Sequence, residues 1–205
     1  MMSVRQQNFI LRKEKILDMA ERLLLENNQD ITIGDLAQEL DIAKGTIYKH
    51  FKSKNQLYLE LIILNEKRLL DISINYKNNI KTYVTQYMLY NMLNSNRTIL
   101  LHVIEERLTN NERKLKSLFE ELYTVREARI IEVKDSTDAF LKSVNSRMSI
   151  RDYLSYIWTV TYGASLLLNS THYQKAIGSR ERLIKLYINQ ALMTPDNLAE
   201  SELNQ

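Results

Sequence analysis

Cysteine is absent from this chain of 205 residues, proline occurs once and glycine four times. Without thiols there is no thiol nucleophile, no thiolate metal site and no disulfide framework. A reduced, cytoplasmic setting fits that absence. With so few breakers, and with Leu, Ile, Lys, Glu and Gln dominating, the composition predicts an all-α chain. The lone Pro195 follows the last amphipathic segment, where a helix can end without damage. Long hydrophobic runs are missing too: none approaches the roughly 20 residues of a membrane span. Polar residues fill Ser3 to Asn8, where a signal peptide would carry its apolar core. The expectation is a soluble cytoplasmic protein with no membrane partner.

A strong excess of one charge is also lacking, since 28 Lys and Arg face 25 Asp and Glu for a net +3. Any case for binding a polyanion must therefore rest on where the charge sits. Catalysis finds no foothold. His50, His102 and His172 show no metal-ligand spacing, and no Gly-rich phosphate loop or nucleophile elbow is present. The chain reads as a non-enzyme with no catalytic residue, metal or cofactor. Its length suffices to bury a core unaided, as one large domain or as a small one joined to a larger one.

Apolar periodicity supplies the elements. Ile16, Leu17, Ala20, Leu23 and Leu24 make one stripe on a helix from about Leu11 to Glu26, after a mobile stretch of ten residues. Asn27-Asn28-Gln29-Asp30 reads as a polar turn. Thr32 with Asp35 nearly matches a capping box for a second helix, whose buried face is Ile33, Leu36, Ala37 and Leu40. After Asp41-Ile42, which lacks the glycine often found in such turns, a third helix is predicted from about Ala43 to Phe51. The three make a helix-turn-helix. Ser53 caps the next helix, predicted from Lys54 to about Ile74. Further helices are predicted near 77–94, 97–108, 112–144, 150–169 and 179–193, with breaks at Asn94-Ser95-Asn96, Thr109-Asn110-Asn111 and Asn145-Ser146 and a frayed tail from Thr194.

The stretch from Lys44 to Lys54 holds repeated lysines, hydroxyls and a glycine without one acidic residue. At about 100° per residue, Ala43, Ile47 and Phe51 face the core, and Gly45 and Lys49 point away, flanked by Thr46, Tyr48 and Lys52. DNA reading needs phosphate contacts that fix register and base contacts that read sequence. Lys44 suits guanine O6 and N7, Gly45 allows close backbone approach, the Thr46 methyl suits thymine, and Lys49 suits a base or a phosphate. Tyr48 and His50 sit on the flanks, toward phosphate, although His50 is equally suited to packing or capping. Thr32 and Lys54 lie at helix N-termini, where free N–H groups favour an anion.

Ile31-Thr32-Ile33-Gly34-Asp35-Leu36-Ala37, followed by Gly45-Thr46-Ile47-Tyr48-Lys49-His50-Phe51-Lys52-Ser53-Lys54, closely resembles the DNA-binding region of the TetR/AcrR family of bacterial transcriptional regulators. The resemblance covers roughly residues 11–60; beyond it only helix number and length agree. It implies an N-terminal three-helix helix-turn-helix DNA-binding domain over residues 1–53, joined to a larger helical ligand-binding and dimerisation domain over 54–205. It further implies a homodimer on double-stranded DNA, at a palindromic operator, usually a repressor released by a small molecule. The family's DNA contacts carry over to Thr32, Lys44, Gly45, Thr46, Tyr48, Lys49, His50 and Lys54. Gly34 departs from the pattern, since many relatives carry a basic or polar residue there.

In the C-terminal part, Tyr83, Tyr87 and Tyr90 recur at helical spacing with Met88 and Met92 nearby. Such a stripe serves either as core or as the wall of a pocket for a small hydrophobic or cationic effector. The resemblance favours the pocket, with Tyr87, Met88, Tyr90, Leu101, Ile104 and Trp158 as candidates. Within the helices near 150–169 and 179–193, the segments 153–168 and 183–192 are apolar almost all round, which fits internal core helices. The resemblance instead implies that they form the dimer interface, with Gly163 and Ala164 permitting close approach.

Overall fold

Ser3 and Gln6 decide where the first helix begins. The Gln6 N–H donates to Ser3 Oγ at 3.2 Å, and the Ser3 N–H donates to Gln6 Oε1 at 2.9 Å. This reciprocal pair is a capping box, and it satisfies amide donors that a helix start leaves open. Helix α1 therefore runs Val4–Asn27, about two turns earlier than its apolar stripe alone predicts. Residues 4–10 thus belong to the helix, which the apolar stripe alone starts at about Leu11. The computed structural model describes residues 3–27, 30–109, 113–176 and 178–200, with the backbone alone for Arg113 and residues 196–200. The turn residues Asn28 and Gln29, the break at Asn110-Asn111 and the tail at 201–205 lie outside the described residues.

Helix α2 (Ile33–Glu39) starts at the expected capping box. The Asp35 N–H donates to Thr32 Oγ1 and the Thr32 N–H to Asp35 Oδ2, both at 3.1 Å. It ends with the Asp41 N–H on the Gln38 carbonyl and the Ile42 N–H on the Ala37 carbonyl, a Schellman pattern. That pattern needs a left-handed residue, and Asp41 supplies it at φ 50°. Asp tolerates this region better than most residues, which is how the turn manages without glycine. Helix α3 (Lys44–His50) follows, with Ala43 as its N-cap and Phe51 as its C-cap. Ala43 is exposed rather than core-facing, because its extended backbone lies outside the helix and off the wheel. Helix α4 (Lys54–Tyr76) is capped as expected by Ser53, whose Oγ accepts the Gln56 N–H at 3.1 Å.

The chain gathers into two compact units, one of residues 1–65 and 100–122, the other of residues 66–99 and 123–205. In the first, the α1 stripe packs with Leu36, Ala37, Ile47, Phe51, Leu57 and Leu61 in one buried cluster. Ile47 is fully buried, and burying such a side chain contributes about 1.5–3 kcal/mol. At seven residues each, α2 and α3 are too short to persist in isolation. Packing of this apolar edge holds them.

The second unit is built from the end of α4, from α5 (Ile80–Leu93), the start of α6 (Ser95–Thr109), most of α7 (Lys116–Ser143), and α8 (Ile150–Asn169), α9 (Thr171–Ala176) and α10 (Arg180–Glu200). Asn79 caps α5 by accepting the Thr82 N–H at 3.1 Å, so that helix begins later than expected. A single 3-10 turn, Arg113–Leu115, precedes α7. Asn145 at φ 49° closes α7 as Asp41 closes α2. Ser149 and Asp152 form a capping box for α8, whose bounds coincide with those expected. The short α9 was not expected, and it buries none of its residues. Tyr83, Val84, Met88, Tyr153, Ile157 and Ile188 mark this unit's core.

The sequence expectation that the last helix stops before Pro195 does not hold, since α10 continues through it. Proline lacks the N–H that would bond the carbonyl four residues earlier, here Ala191. The Tyr153 hydroxyl donates to that carbonyl at 3.4 Å. Ala191 is fully buried, so water has no access to make the same bond. A side chain of α8 thus relieves the defect that proline leaves in α10. No described helix is long and apolar enough to cross a membrane.

Candidate nucleic-acid interface

On α3 the wheel holds in its essentials. Ile47 is buried, Thr46 and His50 are half-buried, and Lys44, Gly45, Tyr48 and Lys49 are exposed. A Cβ built on Gly45 would meet nothing within 4 Å. Glycine inside a helix costs about 1 kcal/mol relative to alanine, and no packing within this chain requires it there. The open space over Gly45 instead permits a binding partner's surface to approach the backbone.

Gly34 has the opposite surroundings. A Cβ there would lie 3.2 Å from both Lys44 Nζ and Thr32 Oγ1. The Lys44 side chain therefore lies across the start of α2, in the space where a larger residue at position 34 would stand. Two hydrogen bonds with Thr32, one to its hydroxyl and one to its backbone, hold the Asp35 carboxyl below the usual carboxylate range. The Lys44 charge adds to that effect. Thr32 itself is exposed, and its hydroxyl donates to Asp35 Oδ2 at 2.8 Å.

Two further predicted contact residues are engaged within the chain. Lys54 Nζ donates to Asp30 Oδ2 at 2.7 Å and to the Ile31 carbonyl at 3.2 Å. Asp30 also accepts the Tyr58 hydroxyl. Burial pushes the Asp30 carboxyl up, but the hydrogen bonds from Lys54 and Tyr58, with the charges of Lys54 and Arg107, outweigh it and hold the group low. His50 stacks on Phe9, with ring centroids 4.1 Å apart, and its Nδ1 is buried without a hydrogen bond. Burial lowers its pKa, and the positive charges of Lys13 and Arg12 lower it further. Packing, one of the readings the sequence leaves open for His50, is thus the arrangement present. Arg12, Lys13 and Asp30 were not singled out from sequence. They come together across turns and between helices, where periodicity carries no signal.

The six candidate pocket residues are divided between the two units. Tyr87 and Met88 belong to the second unit's core, and Leu101 and Ile104 to the first unit's. Tyr90 is half-buried, with the Arg97 guanidinium 5.6 Å from its ring centroid. Trp158 is 46% exposed and stacks on Tyr162 at 5.5 Å. Beside Tyr87 lies a buried ion cluster that sequence did not disclose. Glu66 Oε1 accepts from Arg126 Nε at 3.1 Å, and Arg129 Nη1 stands 3.2 Å from Glu66 Oε2. Burial pushes the Tyr87 hydroxyl up to about 12, with the Arg129 charge opposing it.

A family model described as bacterial regulatory proteins of the tetR family matches residues 16–61. The HTH-type transcriptional regulator AcrR of Shigella flexneri is 30% identical over 104 residues, which make up 50% of this chain and 45% of that protein. The HTH-type transcriptional regulator QacR of Staphylococcus aureus (strain Mu50 / ATCC 700699) is 32% identical over 82 residues, 40% of this chain and 44% of that protein. The chain spans less than half the length of either of these curated relatives. The matched stretch contains α2, the Asp41 turn and α3, and it is over this helix-turn-helix that the chain is similar to the tetR family of bacterial regulatory proteins.

Proposed function

We propose that this chain is a homodimeric regulator that binds a palindromic operator through α3, most simply as a repressor. The observation that carries this reading is the face of α3: Lys44, Gly45, Tyr48 and Lys49 exposed around a buried Ile47. Residues 1–53 form the reading head in this proposal, and 54–205 supply dimerisation and control. Lys44 swings from Gly34 to guanine, the Thr46 methyl meets thymine, and Lys49 takes a base or a phosphate. Tyr48 and His50 hold the flanking phosphates, and Thr32 and Lys54 anchor the backbone at two helix starts.

The test begins with a duplex enriched by in vitro selection on the wild-type protein, then titrated in a gel shift. Each good base contact is worth about 1–3 kcal/mol, so Lys44→Ala is expected to weaken binding by roughly 5- to 150-fold and to relax sequence choice. Lys54→Ala is expected to weaken all sequences alike. Unchanged affinity in both variants would overturn the assignment of these residues.

For control, release by a small hydrophobic or cationic effector is the reading that the family resemblance favours. The packing of Tyr87 and Met88 into the second unit's core favours a second reading, a regulator answering to a protein partner or to autoregulation. A thermal-shift screen with hydrophobic amines and neutral lipophiles separates the two. A melting shift accompanied by loss of DNA binding supports the effector, and a flat response across the panel supports the second reading.

A further inference from the structure

Asp30, Lys54, Tyr58 and Arg107 form a cluster in the first unit that DNA contact alone does not explain. Tyr58 is fully buried, yet two cations approach its ring: Lys54 Nζ lies 5.6 Å from the centroid and the Arg107 guanidinium 5.8 Å. The same two cations address one oxygen of one carboxylate. Asp30 Oδ2 is 2.7 Å from Lys54 Nζ and 3.7 Å from Arg107 Nη1. The other oxygen accepts the Tyr58 hydroxyl, which in turn accepts the Ile31 N–H at 3.2 Å. Asp30 is thereby fixed at the chain's approach to Thr32 and α2, and its free lone pairs are contested.

In this arrangement Lys54 holds the closer bond, and its charge is answered within the chain. A lysine so neutralised attracts phosphate less than one whose counter-ion is otherwise engaged. Arg107 is suited to the exchange: its planar fork can bind a carboxylate through two parallel N–H bonds, which an ammonium cannot do. A shift of about 1 Å would bring it from ion-pair contact to hydrogen-bonding distance. Arg107 stands on α6, a helix with residues in both compact units, so a movement of α6 carries this cation with it.

We propose that Asp30 is a positioning residue governing whether Lys54 is available to a DNA phosphate, and that Arg107 is the competing cation that frees it. The proposal rests on the DNA-binding reading above. When Arg107 takes Asp30, Lys54 turns to phosphate; when α6 withdraws Arg107, Asp30 recaptures Lys54. By linkage, DNA that binds Lys54 favours the position of α6 in which Arg107 is engaged.

The test is a salt titration of the full chain on the selected duplex, by fluorescence anisotropy, for wild type, Lys54→Ala, Arg107→Ala, Arg107→Lys, Asp30→Asn and the Arg107→Ala/Asp30→Asn double variant. A phosphate contact contributes about 0.9 to the slope of log K against log salt. Arg107→Ala is expected to weaken binding several-fold and to flatten the slope by about that amount per subunit, as Lys54→Ala does. Arg107→Lys should keep part of the effect, and in the Asp30→Asn background Arg107→Ala should change neither affinity nor slope. A purely structural role for Arg107 would lower the melting temperature without altering the slope. If Lys54→Ala flattens the slope and Arg107→Ala does not, the proposal is overturned while the DNA reading stands. If Lys54→Ala has no effect, the Lys54 phosphate contact and the proposal with it are overturned; if no duplex is enriched, it is the DNA reading that fails. Should Asp30→Asn not fold, Arg107→Ala against Arg107→Lys decides: equal slopes in the two overturn the exchange.

Discussion

Gly34 and Lys44 show how much of a site can depend on a pair of residues that no local pattern connects. A helical wheel separates the anchors Ile47 and Phe51 from the exposed Tyr48 and Lys49, because that division is a property of one short segment. It does not reveal that Lys44 lies 3.2 Å from the position of a Cβ on Gly34, nor that Lys54 is bonded to Asp30. Those contacts cross turns. His50 is a third instance, stacked on Phe9 from the far end of the first unit's sequence. Its pKa is held down by burial and by Lys13 and Arg12, so the folded chain binds that proton less readily than the unfolded chain. Stability from this source is complete above the ordinary histidine value of about 6.5 and is lost as pH falls through the folded value. The melting temperature of the wild type should therefore drop more between pH 7 and 5 than that of His50→Gln, measured by circular dichroism. Parallel pH profiles would exclude His50 as the cause. Asp30 and Asp35, also held low, act in the same direction only near and below about pH 4.

Elements were legible where their determinants are local. The stripe from Ile16 to Leu24, the Thr32–Asp35 box and the Ser53 cap all stand where the residues predict, and α8 keeps its expected bounds. The start of α1 was equally local, in Ser3 and Gln6, but a box without an apolar run behind it did not register as a helix start. Pro195 was misread for a different reason. Its cost is local, whereas the compensation comes from Tyr153, far away in sequence. Tyr153→Phe removes the donor to the Ala191 carbonyl, and a lost hydrogen bond of this kind costs about 0.5–1.5 kcal/mol. In a Pro195→Ala background the backbone regains an N–H for that carbonyl, so the same substitution should cost measurably less. Urea denaturation of the four proteins of this cycle reads the coupling directly. Equal losses in both backgrounds would show that Tyr153 does not serve the carbonyl left by proline.

At the scale of the whole molecule, the apolar helices near 150–169 and 179–193 combine the two readings that sequence left open. One side of each is core: Tyr153, Ile157 and Ala164 on α8, and Ile184 and Ile188 on α10, are buried within the protomer. The other side is not covered by this chain. Trp158 and Leu166 are each 46% exposed on α8, and Leu186 and Met193 are 50% and 56% exposed on α10. Ala164, expected to ease helix approach between protomers, is spent on the protomer's own core, whereas a Cβ on Gly163 would meet nothing within 4 Å. We therefore place the proposed dimer contact on the stripe of Trp158, Gly163, Leu166, Leu186 and Met193. Two copies of α3 on the half-sites of a palindrome would have to stand about one DNA turn apart or more, roughly 34–36 Å or beyond. Leu186→Glu combined with Trp158→Glu puts a charge at one exposed position on each of the two helices and leaves the core untouched. The pair should halve the mass in sedimentation equilibrium at unchanged helicity. With only one half-site engaged at a time, affinity for the selected duplex should fall by about 100-fold or more, whereas Trp158→Phe should retain both properties. A double variant that stays dimeric and binds normally would move the interface to another face of the molecule.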